Sequence, residues 1–296
     1  MALRPDGSTA LALGDLERPV FPRSSNKPLQ AVGMLEAGWV PCDDEELALA
    51  GASHSGEPAH LDVVRRLLGD ADPEAVLGCP PALPLIEPAA YAVLAAGGGP
   101  TRLQMNCSGK HAAMLATCTA AGWSTEGYLD VQHPLQVALQ ATIERLAGEP
   151  VAHVAVDGCG APQHALTLPG LARAFSRLVT AAPGSPQRRT ADAMRAHPFL
   201  VGGTERDVTL LMQAVPGALA KDGAEGVYAV ALADGSAVAL KIEDGSARAR
   251  MPVLVAALRV LGVDADLGAL AELPVLGGGV RVGEVRAVAG LAAAGS

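Results

Sequence analysis

Apolar positions recur mostly at helical spacing, and only a few short segments alternate as strands do. Runs of about ten residues that end at glycine or proline predict amphipathic helices. Short runs on either side of an Asp-Gly pair predict antiparallel hairpins, at 228–232 with 237–242 and at residues 2–14. Helices are predicted from Ser24-Ser25 to Gly38 and at 43–50, 61–68, 91–95, 112–121, 135–146, 166–179, 189–196, 207–212 and 250–261, with a strand at 152–156. The pattern therefore predicts a helix-rich, strand-poor α/β protein.

The first polar segment that interrupts this pattern is Arg23-Ser24-Ser25-Asn26-Lys27-Pro28. Ser24 or Ser25 can cap the helix, and Pro28 is tolerated in its first turn. Ser24 and Lys27 are three residues apart and share a helical face, so an amine with a lowered pKa could take the hydroxyl proton. The same Ser-x-x-Lys spacing activates the nucleophile of serine β-lactamases. The alternative is a capping serine followed by a solvated lysine.

Two later segments support the nucleophilic interpretation. Ser53-His54-Ser55-Gly56-Glu57 concentrates hydrogen-bonding side chains in one loop, although such loops also serve as surface caps. Lys221-Asp222-Gly223 precedes the clearest hairpin. A Lys-x-Gly segment beside the nucleophile is a further hallmark of Ser-x-x-Lys acyltransferases.

Two cysteines lie in polar, glycine-containing loops. Cys107 occurs in Asn-Cys-Ser-Gly-Lys-His with Lys110, at the start of an apolar helix where a thiolate is favoured. Cys159 lies between glycines in Asp-Gly-Cys-Gly-Ala-Pro, the segment that begins at Asp157. The alternative is that both thiols are small buried hydrophobic groups.

Composition narrows the class of function. The 296 residues can form one large domain or two packed ones, and aromatics are only 3%, so the core must be built from Ala, Val and Leu. A net charge of −9 argues against nucleic acid or an anionic membrane as partner. Neither a secretion signal nor a membrane-spanning stretch is evident. Five scattered cysteines suit reduced thiols, so a cytoplasmic enzyme acting on a small molecule is expected.

Six segments together resemble the L-asparaginase II family of the Rhizobium etli type, in matching order over nearly the whole chain. They are 23–30, 53–57, 106–115, 157–162, 197–212 and 221–227. The resemblance implies a fold like serine β-lactamases and glutaminases, an α/β sheet with flanking helices plus a mostly helical part. It also implies a single catalytic unit over residues 1–296, with the α/β part formed by both chain ends, assembled as a homodimer.

The resemblance also implies roles for particular residues. Family members carry two serine-lysine pairs, which map to Ser24 with Lys27 and to Ser53 with Lys221. They bind zinc through two cysteines and a lysine, and the corresponding residues here are Cys107, Lys110 and Cys159. A lysine ligand must be deprotonated, so zinc affinity should depend strongly on pH.

The expected reaction is hydrolysis of L-asparagine to L-aspartate and ammonia through a serine acyl-enzyme. Arg23 is the expected partner of the substrate carboxylate. Asp157 with Glu57 should bind the ammonium group, with His54 as a hydrogen-bonding neighbour.

Two alternatives from other classes remain open. Another Ser-x-x-Lys acyl hydrolase, a glutaminase or a β-lactamase-like enzyme, would share the serine and lysine segments. A β-lactamase-like enzyme would have no need of the two cysteines and Lys110. A non-catalytic amino-acid or zinc-binding protein would bind asparagine and release no ammonia.

Overall fold

The structure, a computed structural model, describes residues 1–288 and Leu291. Its main sheet has five strands, all paired antiparallel, and both halves of the chain contribute to it. The strands are β1 (Ala2–Leu3), β2 (Thr9–Leu11), β3 (Val154–Val156), β4 (Pro162–His164), β5 (Leu219–Gly223), β6 (Val227–Ala231), β7 (Ala237–Lys241), β8 (Leu273–Gly277) and β9 (Val280–Val285). The order in the main sheet is β2-β1-β7-β6-β5, while β3-β4 and β8-β9 form separate pairs.

Helices surround the main sheet and fill the middle of the chain. They are α1 (Lys27–Glu36), α2 (Asp44–Ala50), α3 (Pro58–Leu68), α4 (Pro73–Val76), α5 (Glu87–Ala95), α6 (Ser108–Ala120), α7 (Pro134–Ala147), α8 (Leu168–Thr180), α9 (Pro186–Ala196), α10 (Pro198–Val201), α11 (Asp207–Ala214), α12 (Arg250–Val260) and α13 (Gly268–Ala271). Short 3-10 turns precede α1 at Arg23–Asn26 and α12 at Ala247–Ala249. No helix among the described residues is long and apolar enough to cross a membrane.

The buried apolar side chains form two clusters, and α1 contributes to both. The first cluster surrounds the main sheet and includes Phe175 of α8 and Leu254 of α12. The second joins helices from the middle of the chain, including α2, α6 and α7. Leu29 of α1 packs in the first cluster and Met34 in the second. The segment before α1 therefore lies near the junction of the sheet and the helical part.

The mixed α/β architecture predicted from the sequence is confirmed. Strands β6 and β7 pair around Asp234-Gly235, and Gly235 takes the left-handed conformation, with φ 95°. Strand β5 was not predicted, and it contains Lys221 to Gly223. Strands β8 and β9 were not predicted from the sequence either. The assignment of residues 1–296 to one catalytic unit stays a prediction.

The predicted capping role of Ser24 or Ser25 is wrong. The chain enters α1 through the 3-10 turn, and neither serine makes a side-chain cap. The turn itself supplies an acceptor, since the Lys27 N–H donates to the Ser24 carbonyl. The Ser25 hydroxyl instead donates to the Lys221 carbonyl at 3.0 Å. Pro28 stands in the first turn of α1, as predicted.

Candidate active site

Ser24 is partly exposed in the turn that leads into α1. Arg23, the residue before it, has φ 52°, a left-handed conformation that a non-glycine residue adopts rarely. Neither the hydroxyl nor the backbone N–H of Ser24 has a hydrogen-bond partner among the described residues. Both groups are therefore available to a substrate that approaches this turn.

The amine of Lys27 is buried three residues further on. Its Nζ donates to the Ser53 hydroxyl at 2.9 Å and also to the Ala52 carbonyl. Lys27 is 1% exposed and Ser53 is 3% exposed, so this pair is shielded from water. The hydrogen bond to Ser53 thus joins Lys27, the lysine of the first predicted pair, to the serine of the second pair.

Lys221 projects from β5 and is completely buried. Its amine donates to the Asp222 carbonyl at 2.8 Å and to the Asp222 carboxylate. Burial lowers the pKa of Lys221 to about 8, since the attraction of Asp222 only partly compensates and Lys27 adds repulsion. A substantial fraction of this amine is therefore neutral in mildly alkaline solution.

Gly223 explains the glycine of the Lys-x-Gly segment. A Cβ atom at this position would lie 2.5 Å from the Pro22 carbonyl oxygen and 3.0 Å from Ser25 Oγ. Only glycine lets the end of β5 pass this close to the turn that carries Ser24. The close approach keeps Lys221 next to the Ser24 turn.

The two expected head-group residues bind each other. Arg23 Nε donates to Asp157 Oδ1 at 2.7 Å, and Arg23 NH1 lies 3.1 Å from the Glu225 carboxylate. The Gly158 N–H also donates to Asp157 Oδ1 at 2.8 Å. A cation and an anion thus lie side by side next to Ser24, partly accessible to solvent.

His54 and Glu57 are engaged by the protein. His54 Nε2 lies 2.9 Å from Ser108 Oγ, whose own hydrogen goes to a backbone carbonyl, so Nε2 donates and Nδ1 accepts from Gly56 N–H. Burial lowers the pKa of His54 well below its ordinary value. The Glu57 carboxylate accepts from the Thr204 N–H at 2.8 Å and from its hydroxyl at 2.6 Å. Substrate-binding roles for His54 and Glu57 stay predictions.

Cys107, Lys110 and Cys159 come together in a buried cluster. Lys110 Nζ lies 3.1 Å from Cys159 Sγ. A hydrogen bond from the Cys107 thiol lowers the pKa of Cys159 well below its ordinary value despite burial, whereas that same bond and burial raise the pKa of Cys107. Burial opposes the Lys110 ammonium, but the Cys159 and Cys107 sulfurs outweigh it and raise its pKa. These directions favour a thiolate on Cys159 beside the Lys110 ammonium.

The donor set of this cluster suits zinc, because two soft thiolates and a nitrogen are ligands that zinc accepts. Within residues 1–288 and Leu291, no three His, Cys, Asp or Glu side chains meet closely enough to hold a metal ion. Lys110 would therefore have to complete the set. Next to it, His111 Nδ1 lies 2.7 Å from the Tyr128 hydroxyl oxygen. The buried Nε2 makes no hydrogen bond of ordinary geometry in the part of the chain described, although His111 lies close enough to the Cys159 sulfur to lower its pKa.

Two residues of the site escaped the sequence analysis. Arg206 donates from NH2 to Asp222 Oδ2 at 2.8 Å, and its NH1 lies 3.5 Å from the Ser53 carbonyl oxygen. Asp222 follows Lys221 directly, and Arg206 lies in the segment 197–212 that carries part of the resemblance. A search for countercharges next to the expected lysines would have found Asp222.

The comparison with known families agrees with these motifs. The family model described as L-asparaginase II matches residues 1–287, so the chain belongs to that family. Membership supports asparagine hydrolysis in general, and an amidohydrolase with a small-molecule substrate. No curated protein matches the chain in a sequence search.

Proposed function

We propose that this member of the L-asparaginase II family hydrolyses the side-chain amide of L-asparagine through an acyl-enzyme on Ser24. The observation that carries the proposal is that Ser24, partly exposed and without a hydrogen-bond partner among the described residues, stands three residues before Lys27, whose buried amine donates to Ser53. Serine acyl transfer needs a hydroxyl that a substrate can reach and a base that can take its proton, and Ser24 and Lys27 are the residues proposed for these two roles.

The chemistry follows from the positions of these groups. Ser24 Oγ attacks the carboxamide carbon, and its proton passes to Lys27, with Ser53 and Lys221 as the relay. The N–H of Ser24 donates to the developing oxyanion. The C–N bond then breaks, the proton returns to the leaving nitrogen, and ammonia departs. Water, deprotonated by the same amines, attacks the ester carbon, the bond from that carbon to Ser24 Oγ breaks, and the proton passes to Ser24 Oγ as L-aspartate leaves.

The Arg23–Asp157 pair binds the amino-acid head. The Arg23 guanidinium offers N–H groups to the substrate carboxylate, and Asp157 Oδ2 accepts from the substrate ammonium. Their mutual hydrogen bond at 2.7 Å fixes both groups before the substrate arrives. Such preorganisation reduces the entropy lost on binding. We expect Glu57 to help Asp157 bind the substrate ammonium, with His54 as a hydrogen-bonding neighbour.

Zinc and assembly belong to the same proposal. Cys107, Lys110 and Cys159 would hold one zinc ion per chain, which as a Lewis acid could polarise a substrate oxygen or a bound water. The five free cysteines support a reducing, cytoplasmic setting. We also propose a homodimer, as the family resemblance implies.

Ammonia release from L-asparagine and L-glutamine, measured with purified protein, tests the proposal. Release from asparagine that disappears in Ser24→Ala supports it. Turnover of nitrocefin without release from asparagine would favour a β-lactamase-like hydrolase. Faster release from glutamine would favour a glutaminase. Asparagine binding by calorimetry with no ammonia from either amino acid would identify a non-catalytic binding protein.

A further inference from the structure

The Asp222 carboxylate is shared between two cations. Its Oδ1 accepts from Lys221, and its Oδ2 accepts from Arg206 NH2 at 2.8 Å. Asp222 is 6% exposed, and the Arg206 side chain is 18% exposed, so the three groups interact with little screening by water. Arg206 also reaches the Ser53 carbonyl oxygen, at 3.5 Å from NH1. One guanidinium therefore contacts the Ser53 backbone directly and is linked to Lys221 through the Asp222 carboxylate.

We propose that Arg206 is a positioning residue that fixes Ser53 and Lys221 in one geometry by occupying half of the Asp222 carboxylate. The proposal rests on the proposed function, in which Ser53 and Lys221 relay protons for Ser24. Without Arg206, both carboxylate oxygens could turn to the lysine and hold it as an ammonium. The guanidinium thus leaves only one oxygen of the Asp222 carboxylate to pair with Lys221.

The surrounding charges favour the sharing of the Asp222 carboxylate between Lys221 and Arg206. Lys27 faces Lys221 from α1 and adds repulsion. Arg250 of α12 also attracts the Asp222 carboxylate, but it lies over the Tyr228 ring at 5.2 Å and pairs with Asp207 of α11. In the described part of the chain, Arg206 is the cation hydrogen-bonded to Asp222 besides Lys221.

The first test compares Arg206→Gln with Arg206→Lys in steady-state asparagine hydrolysis. Arg206→Gln should lower kcat about ten- to a hundredfold with little change in KM, because it misplaces relay groups that do not bind the substrate head. The midpoint of its pH–activity profile should also lie at a higher pH than in the wild type. Arg206→Lys keeps a cation beside Asp222 and should restore the wild-type pH profile. Arg248→Gln, which removes a 63% exposed guanidinium paired with Asp244, is the matched control.

The second test needs no catalysis. The chain contains four lysines, so the side chains of Lys27, Lys110, Lys221 and Lys241 give at most four resonances in protein labelled at lysine Cε. A Lys221→Arg variant assigns one of them. The titration midpoint of Lys221 should rise by about one pH unit in Arg206→Gln, because Asp222 then pairs with the lysine alone.

The two tests separate two failures. Wild-type protein without ammonia release overturns the proposed function, while the titration of Lys221 still reports on Arg206. Unchanged kcat and an unchanged Lys221 midpoint in folded Arg206→Gln would overturn the positioning role. Should Arg206→Gln not fold, the double variant with Asp222→Asn, which leaves no carboxylate unpaired, is compared with Asp222→Asn alone. Equal kcat values support the proposal, because Arg206 then acts only through Asp222, and a further loss of kcat in the double variant refutes it.

Discussion

Lys27 Nζ lies 2.9 Å from Ser53 Oγ, so the lysine of the Ser-x-x-Lys segment donates to a serine 26 residues further along the chain. This contact links the two predicted serine-lysine pairs. Lys221 is close enough to Lys27 for their charges to repel. The buried side chains of Lys27, Ser53 and Lys221 are therefore coupled, the first two by a hydrogen bond and the two lysines by charge repulsion.

Removal of the Ser24 hydroxyl should abolish most of the activity. We expect Ser24→Ala to lower asparagine turnover about 10⁴-fold or more, because the attacking atom is lost. The fold should survive, since the residue is partly exposed and its hydroxyl has no partner among the described side chains. Ammonia release and circular dichroism check this. Ser53→Ala should retain more activity than Ser24→Ala, and the reverse order would move the nucleophile to Ser53.

Loss of either buried amine should have a large effect that is not additive. Lys27→Met and Lys221→Met should each impair kcat severely, since both amines belong to one proton network. The double variant should be little worse than the poorer single variant. Kinetics of the three proteins, with melting temperatures as a control for folding, make this comparison. If the loss of kcat in the double variant equals the product of the two single losses, the amines act independently.

The linear spacing predicted the chemical groups of the site better than their partners. Ser24 and Lys27 were identified because residues three apart share a helical face. The fold changes this relation, because Arg23–Asn26 forms a 3-10 turn and Lys27 begins the regular helix. Ser53 reaches the Lys27 amine through tertiary packing, which no local pattern encodes.

Buried countercharges were the least predictable part. Arg23 and Asp157 are 134 residues apart, and each was expected to face the substrate rather than the other. Arg206 carried no sequence signal of its own within the segment 197–212. Its contact with Asp222 exists because α11 packs beside β5, a strand that the sequence did not reveal. Predicted hairpins and helices were more reliable, since periodicity and Asp-Gly turns are local signals.

The activity should rise with pH as Lys221 loses its proton. Burial lowers the pKa of this amine to about 8, so it is mostly charged at pH 7 and mostly neutral at pH 9. Only the neutral amine can accept a proton, hence kcat should increase through this range. A kcat profile between pH 6 and pH 10 on asparagine measures the midpoint. A midpoint below pH 6 would contradict a catalytic role for neutral Lys221.

Zinc affinity should fall steeply as the pH falls. In the metal-free cluster the pKa values of Cys107 and Lys110 are raised, so each carries a proton that zinc must displace. Two displaced protons predict a loss of about a hundredfold in affinity per pH unit. Competition with a chelator at several pH values, and calorimetry in buffers of different ionisation enthalpy, measure the slope and the proton count.

Variants of the cysteines supply the control for the zinc prediction. Cys107→Ser and Cys159→Ser should lower the zinc content of purified protein, since a hydroxyl replaces a soft thiolate poorly. Cys118→Ser, a change at a buried thiol of α6 outside the cluster, should leave the content unchanged. Wild-type protein purified without chelator and free of zinc would refute the site.

Asparagine should be hydrolysed much faster than glutamine. The Arg23–Asp157 pair is fixed by its 2.7 Å hydrogen bond, and Ser24 is adjacent to Arg23 in a turn whose backbone is constrained. When the head group is held in place, its distance to the Ser24 hydroxyl oxygen is fixed. The reacting amide carbon must come within about 3–3.5 Å of that oxygen. The extra methylene of glutamine displaces the amide by more than that tolerance allows.

The discrimination should appear in kcat rather than in KM. Both amino acids present the same two charged groups to Arg23 and Asp157, so the binding free energies should be similar. A displacement of about 1 Å can cost about a hundredfold in turnover. Steady-state kinetics on both substrates test this, with Asp157→Asn as the control that should weaken binding of the two alike. Equal turnover numbers would show that the pocket adapts to substrate length, and the clamp formed by Arg23 and Asp157 would then be wrong.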